Sequence, residues 1–268
     1  MSATARLDLH CHTLHSGDCF VPLEQVVEIA VSRGVTHLAV TDHDSCECRR
    51  RHADRSWPLQ LIFGEEVTLG DGTHLIALDI REEIKGRTLA AALAEIREAG
   101  GFSLVPHPFK KGSGIFAGED ERELAEAKKL VAEWADAIEV CNAKLPDRDN
   151  ERAFGLAREL GKSITAGADA HFGYDVGDAV LEVEAGSRTA DWRELVGGGR
   201  GARVLINRFV RRKLFDEHVA DTGVSNLWPR IRRLVPRPLR TVIKRNLHRI
   251  VYQPRVRRRD FALEELQF

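Results

Sequence analysis

Hydrophobic positions along the first 200 residues fall into short runs that alternate between two periods. Leu7–His10 is a brief apolar stretch ending in polar residues. Thr36–Thr41, Leu59–Phe63, Leu75–Ile80, Phe102–Pro106, Ala137–Cys141 and Ser163–Ala166 read as further strands. Helical patterns lie between them. Pro22 opens one in which Leu23, Val26, Val27 and Ala30 share a face, and Gly34 stops it. Leu89–Glu98, Glu121–Ala135 and Asp149–Leu160 read as helices, the first closed by Gly100-Gly101 and the third by Gly161. Strand followed by helix, repeated, predicts an α/β fold with a mainly parallel sheet, open or closed into a barrel. The Gly197-Gly198-Gly199 break predicts the end of the core. One domain is therefore expected over 1–200 and an extension over 201–268.

The extension has a looser pattern. Pro229, Pro236, Pro238 and Pro254 interrupt Arg-rich stretches, with short amphipathic helices predicted between them. Charge changes sign here. Residues 203–268 hold 17 Lys and Arg against 6 Asp and Glu, while the remainder holds 23 against 35. An acidic body with a basic tail points to nucleic acid or an anionic membrane surface as a partner. The plainer reading is a solvated tail packed on the body. With 43% hydrophobic and 30% charged residues the chain reads as globular, not disordered. No apolar run is long enough to span a bilayer and residues 1–8 contain no apolar signal core. The expected location is the cytoplasm, with peripheral membrane attachment as the alternative. The five cysteines form no C-x-x-C pair, and no disulfide is expected in a reducing compartment.

Ligand-type residues gather at the predicted strand ends. His10-x-His12 ends the first strand, and H-x-H along a strand points both imidazoles to one side. Asp42 and His43 end the second, Glu65 and Glu66 follow the third, and His74 opens the next. His107 follows Val105-Pro106, and Asp169-x-His171 follows the strand ending at Ala166. In parallel α/β folds this edge is where sites are built. About nine ligand-type residues suggest two or three divalent ions, since one ion takes three or four protein ligands. Imidazole mixed with carboxylate suits Zn, Mn or Fe better than Mg or Ca. His37, His52, His218 and His248 lie off this pattern and read as ordinary histidines. His15 is left out because its direction is not fixed by the pattern.

These motifs resemble the PHP-domain (polymerase and histidinol phosphatase) family of metal-dependent phosphoesterases. The residues that carry the resemblance are Asp8-Leu9-His10-Cys11-His12-Thr13, Ser16-Gly17-Asp18, Thr41-Asp42-His43-Asp44, Gly64-Glu65-Glu66, Pro106-His107-Pro108 and Gly167-Ala168-Asp169-Ala170-His171. The resemblance covers about residues 6–185. It implies a distorted (β/α)7 barrel with a trinuclear metal site at one rim. His10, His12 and Asp169 would bind the first ion with Glu66 bridging. Glu66, His74 and His107 would bind the second, and Asp18, His43 and His171 the third. Asp42 and Asp44 would orient neighbouring metal-bound histidines. Asn142, in an E-x-x-N pattern with Glu139, would hold a substrate or a ligand side chain, and Cys11 would point away into packing.

The implied chemistry is phosphate-ester hydrolysis by a metal-bridging hydroxide. Asp169, His171 or His43 would handle the proton, and Lys110, Lys111, Lys144 and Arg152 are candidate phosphate-binding cations. His107 follows His74 by only 33 positions. That leaves no room for an inserted lid and implies an open site. The expected substrate is a small phosphorylated metabolite or nucleotide. The alternatives are a nuclease that holds oligonucleotides with its tail, and a non-catalytic metal-stabilised binding module.

Overall fold

The structure, a computed structural model, describes residues 3–185, 191–198, 201–211 and 261–268, with positions 236, 239 and 243. Most of the basic extension, on which the expected contact with nucleic acid or membrane falls, lies outside the described residues.

Strands β1 (Ala3–Asp8), β2 (His37–His43), β3 (Gln60–Thr68), β4 (His74–Leu78), β5 (Phe102–Val105), β6 (Ala137–Asn142) and β7 (Ser163–Gly167) lie side by side in chain order. The β1–β2–β3 and β5–β6–β7 pairings are parallel. β4 is antiparallel to both of its neighbours, so the sheet is less uniformly parallel than the β-then-α rhythm predicts. The reason is the short turn at Asp71-Gly72, where Gly72 takes φ 88°. Five residues can close a hairpin but cannot make a parallel crossover. This reversal has a functional result: the start of β4 lies at the same rim as the end of β3.

The chain beyond β1 changes partner and closes the ring. Leu9 N donates to Ala166 O at 3.1 Å, Asp169 N to His10 O at 2.8 Å, and His12 N to Ala170 O at 3.1 Å. The seven strands therefore form the distorted barrel expected of the fold. Before that switch, β1 pairs antiparallel with β8 (Ala179–Ala185). β9 (Arg203–Asn207) and β10 (Leu263–Glu265) continue the sheet from β8. Two strands from beyond residue 200 thus extend the same sheet.

The helices follow from local signals. α1 (Leu23–Ser32) starts after Pro22, and Gly34 follows it at φ 77°. α2 (Glu47–His52) is a short turn that the periodicity does not predict. α3 (Leu89–Glu98) is capped by the Thr88 side chain, and α4 (Glu121–Trp134) by Asp120, which accepts from Arg122 N and Glu123 N. α5 (Asp147–Leu160) ends at Gly161 in the left-handed conformation, φ 62°. α6 (Trp192–Gly198) and α7 (Arg208–Arg211) flank β9. The apolar stripe of α1 packs on Leu38 and Val40 of β2, while Leu7, Ile76, Leu104 and Ile138 join the larger core cluster. Each such side chain contributes roughly 1.5–3 kcal/mol on burial. Among the described residues no helix is long and apolar enough to cross a membrane. The five cysteines are buried and form no disulfide with one another.

Candidate metal centre

Strand ends aim an unusual set of side chains at one point. Glu66 is 1% exposed, and five imidazoles converge on its carboxylate. His74 Nδ1 is 2.7 Å from Oε1 and His107 Nε2 2.9 Å from the same atom. His10, His12 and His43 place Nε2 at 3.2, 3.3 and 3.5 Å from Oε2. Asp169 Oδ1 lies 3.6 Å from His10 Nε2 and 3.5 Å from His12 Nε2. Asp18 Oδ2 takes His171 Nε2 at 3.1 Å and His43 Nε2 at 3.4 Å. All nine residues expected as ligands meet in four overlapping groups: His10, His12 and Asp169; His10, Glu66 and His107; His43, Glu66 and His74; and His12, Asp18, His43 and His171.

The local backbone explains this convergence. Alternation along β1 and its continuation puts His10 and His12 on one side, while Cys11 turns into the apolar cluster below. His74 reaches the rim because β4 runs backwards. His107 and Asp169 leave their strands with φ of 28° and 49°. Non-glycine residues there cost of order 1–3 kcal/mol, a strain that recurs at functional sites.

The donors fit divalent cations. His12 Nδ1 and Nε2 and His107 Nδ1 are buried without a hydrogen-bond partner. Such orphaned nitrogens are expensive unless something binds them. Burial alone would raise the Glu66 carboxyl pKa, but His10 and His43 outweigh it and hold the group well below the usual range. Asp169 is held low against the same burial cost by Lys110 and His10. Carboxylate oxygens and imidazole nitrogens together make a mixed N/O donor set.

Supporting side chains are equally specific. Glu139 accepts from His107 N at 2.7 Å and Asn142 Nδ2 at 3.0 Å, and bonds His10 Nδ1 at 3.0 Å. Glu139 and Asn142 are three apart, which in a regular strand would place them on opposite faces. A bulge between Glu139 and Cys141 shifts the register and brings both to the site. Asp8 accepts from His10 N, Ala168 N and Gly177 N, pinning the crossing of β1 and β7. Asp42 accepts from Thr13 N at 2.6 Å and Thr13 Oγ1 at 2.7 Å. Asp44 accepts from Thr68 N at 3.0 Å. These two carboxylates fix loops, where the sequence suggested that they orient histidines.

The candidate phosphate-binding residues divide. Lys110 Nζ is 2.9 Å from Asp169 Oδ2, and Asn142 Nδ2 is 3.3 Å from the same oxygen. Burial opposes the charge on Lys110, but Asp169 and Glu66 outweigh it and raise its pKa. Lys144 pairs with Asp175 at 2.6 Å. Arg152 stacks over the Phe109 ring at 3.9 Å and pairs with Asp149, so its contacts lie beside the histidine cluster, not within it. The cluster is sealed around His10 and His12. It opens where His43, His171 and Asp18 are 21%, 23% and 42% exposed.

A PHP domain model matches residues 8–85, and a PHP-associated model matches residues 147–196. A protein of Methanocaldococcus jannaschii is 26% identical over 66% of this chain and 70% of its own length. PsfC from Pseudomonas syringae has a similar fold, with TM-score 0.62 at 20% identity, covering 88% of this chain and 100% of PsfC. So has the lesion-specific endonuclease Q of Pyrococcus furiosus, with TM-score 0.58 at 15% identity, covering 75% of this chain and 58% of that one.

Proposed function

We propose, given that this chain belongs to the PHP-domain family of metal-dependent phosphoesterases, that it hydrolyses a phosphomonoester of a small metabolite or nucleotide. The observation that supports this most is the convergence of five imidazoles within 3.5 Å of the buried Glu66 carboxylate. His10, His12 and Asp169 would hold one divalent ion, Glu66, His74 and His107 a second, and Asp18, His43 and His171 a third, with Glu66 shared. Two to three ions of Mn, Fe or Zn are the cofactors of this reading. When bound, such ions polarise phosphate oxygens and lower the pKa of water.

The chain's own groups do the rest. Lys110 offers its ammonium to a non-bridging phosphate oxygen, neutralising charge that builds up during attack. Asn142 donates to Asp169 and to Glu139, which fixes the carboxylate's rotamer. Asp169 through its second carboxylate oxygen, and His43 or His171 when the third ion is not bound, handle the proton of the attacking water and of the leaving oxygen. Lys144 binds a more distant part of the substrate. Entry is from the exposed side formed by His43, His171 and Asp18. Five buried cysteines kept as thiols suit a cytosolic place of action.

A second reading, cleavage of nucleic acid, is favoured by one likeness. Endonuclease Q shares the fold and has been solved with a 27-mer duplex carrying an abasic lesion at its active site. The basic residues 203–268 would hold the polyanion. The experiment compares p-nitrophenyl phosphate, nucleoside monophosphates and oligonucleotides on one metal-loaded preparation, with and without 0.2 M added salt. The monoesterase reading expects turnover of the small esters with little salt dependence. Cleavage of oligonucleotides alone, falling steeply with salt, would replace it with the nuclease reading.

A further inference from the structure

The loop after His12 and the short helix α2 bring together a second set of ligand-type side chains, outside the cluster around Glu66. Cys48 and His52 are four residues apart on α2, so they share a face. That face meets His15. The ligand-type atoms of His15, Cys48 and His52 all lie within 4.8 Å of one another. Cys48 is 2% exposed, and the His15 and His52 ring centres are 5.8 Å apart. His15 Nδ1 is buried with no hydrogen-bond partner. Two cations edge the cluster: Arg51 pairs with Glu47 at 2.6 Å, and Arg55 pairs with Glu24 at 2.8 Å and also donates to His52 Nδ1 at 3.2 Å, a contact that a bound ion would displace.

We propose that His15, Cys48 and His52 form a separate site for one thiophilic divalent cation, with Zn2+ as the natural occupant. Two imidazoles and a thiolate supply three corners of a tetrahedron, and water takes the fourth. The sulfur donor sets this site apart from the N/O cluster at Glu66 and gives it a stronger preference for Zn2+ over Mn2+. On binding, the Cys48 S–H bond is replaced by an S–Zn bond and the proton goes to solvent. The occupied site fastens the loop that carries Asp18 to α2.

Co2+ is the probe. The full chain is stripped of metal and titrated while near-ultraviolet absorption is recorded. A thiolate–cobalt bond gives an intense charge-transfer band there, and the nine residues around Glu66 include no sulfur. The expected result is a band that saturates at one equivalent and is bleached by Zn2+. It is lost in Cys48→Ala and strongly reduced in His52→Gln. Because Cys48 is buried, thermal melting accompanies each variant, and the partly exposed His52 carries the test if Cys48→Ala does not fold. No band in the wild-type chain, or an undiminished band in a folded Cys48→Ala or His52→Gln variant, overturns the proposal. The readout is independent of phosphatase turnover, so its failure and that of the phosphoesterase reading are separable.

Discussion

Gly167 sits at the end of β7, immediately behind His10. A Cβ added there would lie 2.3 Å from His10 Cβ, 2.5 Å from Glu139 Oε1 and 3.1 Å from His10 N. Carbon atoms in contact settle at about 3.5–4.0 Å. Gly167→Ala therefore forces His10 or the backbone of β7 to move by roughly 1 Å or more, since β7 is itself held by pairing with Asn142 and by Ala143 N donating to Gly167 O. His10 would lose its register with Glu139 at 3.0 Å and Glu66 at 3.2 Å. A misplacement of about 1 Å at a reacting centre can cost about 10²-fold in rate. Overpacking of this kind costs typically about 1–3 kcal/mol in stability, which a domain of this size can survive. The assay measures bound metal, p-nitrophenyl phosphate turnover and the melting midpoint on the same preparation. The expected outcome is a folded variant with at least one ion fewer and turnover down by about 10²-fold. A folded Gly167→Ala protein with wild-type metal content and turnover within about threefold of wild type would refute the packing argument and the role given to His10.

Three other outcomes follow from the same geometry. Glu139 Oε1 bonds His10 while Oε2 accepts from His107 and Asn142, so Glu139→Gln costs one of these two acceptors; metal affinity, read by competition with a chelating dye, should fall about 10–100-fold. Lys110→Met removes the cation beside Asp169, so KM for a phosphomonoester should rise while bound metal stays at its wild-type level. Unchanged KM in that variant would remove Lys110 from phosphate binding. Chelation should lower the melting midpoint, because ions at about 100 times their Kd contribute about 2.7 kcal/mol to the folded state. Calorimetry with and without EDTA reads this directly, and identical midpoints would contradict the metal-centre assignment.

Much of this centre is written in short-range pattern. H-x-H on a strand needs only period-2 alternation to put His10 and His12 together, and the strand-then-helix rhythm delivers the other ligands to one edge. What escaped the pattern depends on long-range pairing. Nothing local says that β1 leaves β8 and joins β7 after Asp8, so the pattern assigns no role to the buried Asp8 carboxylate that holds this crossing. Glu139 reaches the site only because β6 bulges, and its odd spacing from Asn142 was the available signal. β8 shows no strict alternation because every residue from Ala179 to Val183, Glu182 included, is buried. His15 and His52 are ordinary in isolation, and they become a pair only when α2 folds against the loop after His12.

The claim at the centre of this account is that Glu66 and the histidines around it bind catalytic metal. Elemental analysis and p-nitrophenyl phosphate turnover on one sample, before and after EDTA and after reloading, test it most directly. The account predicts two to three ions of Mn, Fe or Zn at the Glu66 cluster, beyond any held by Cys48, with turnover that disappears on chelation and returns on reloading. Less than one equivalent after reloading, or hydrolysis that survives complete removal of metal, would contradict it.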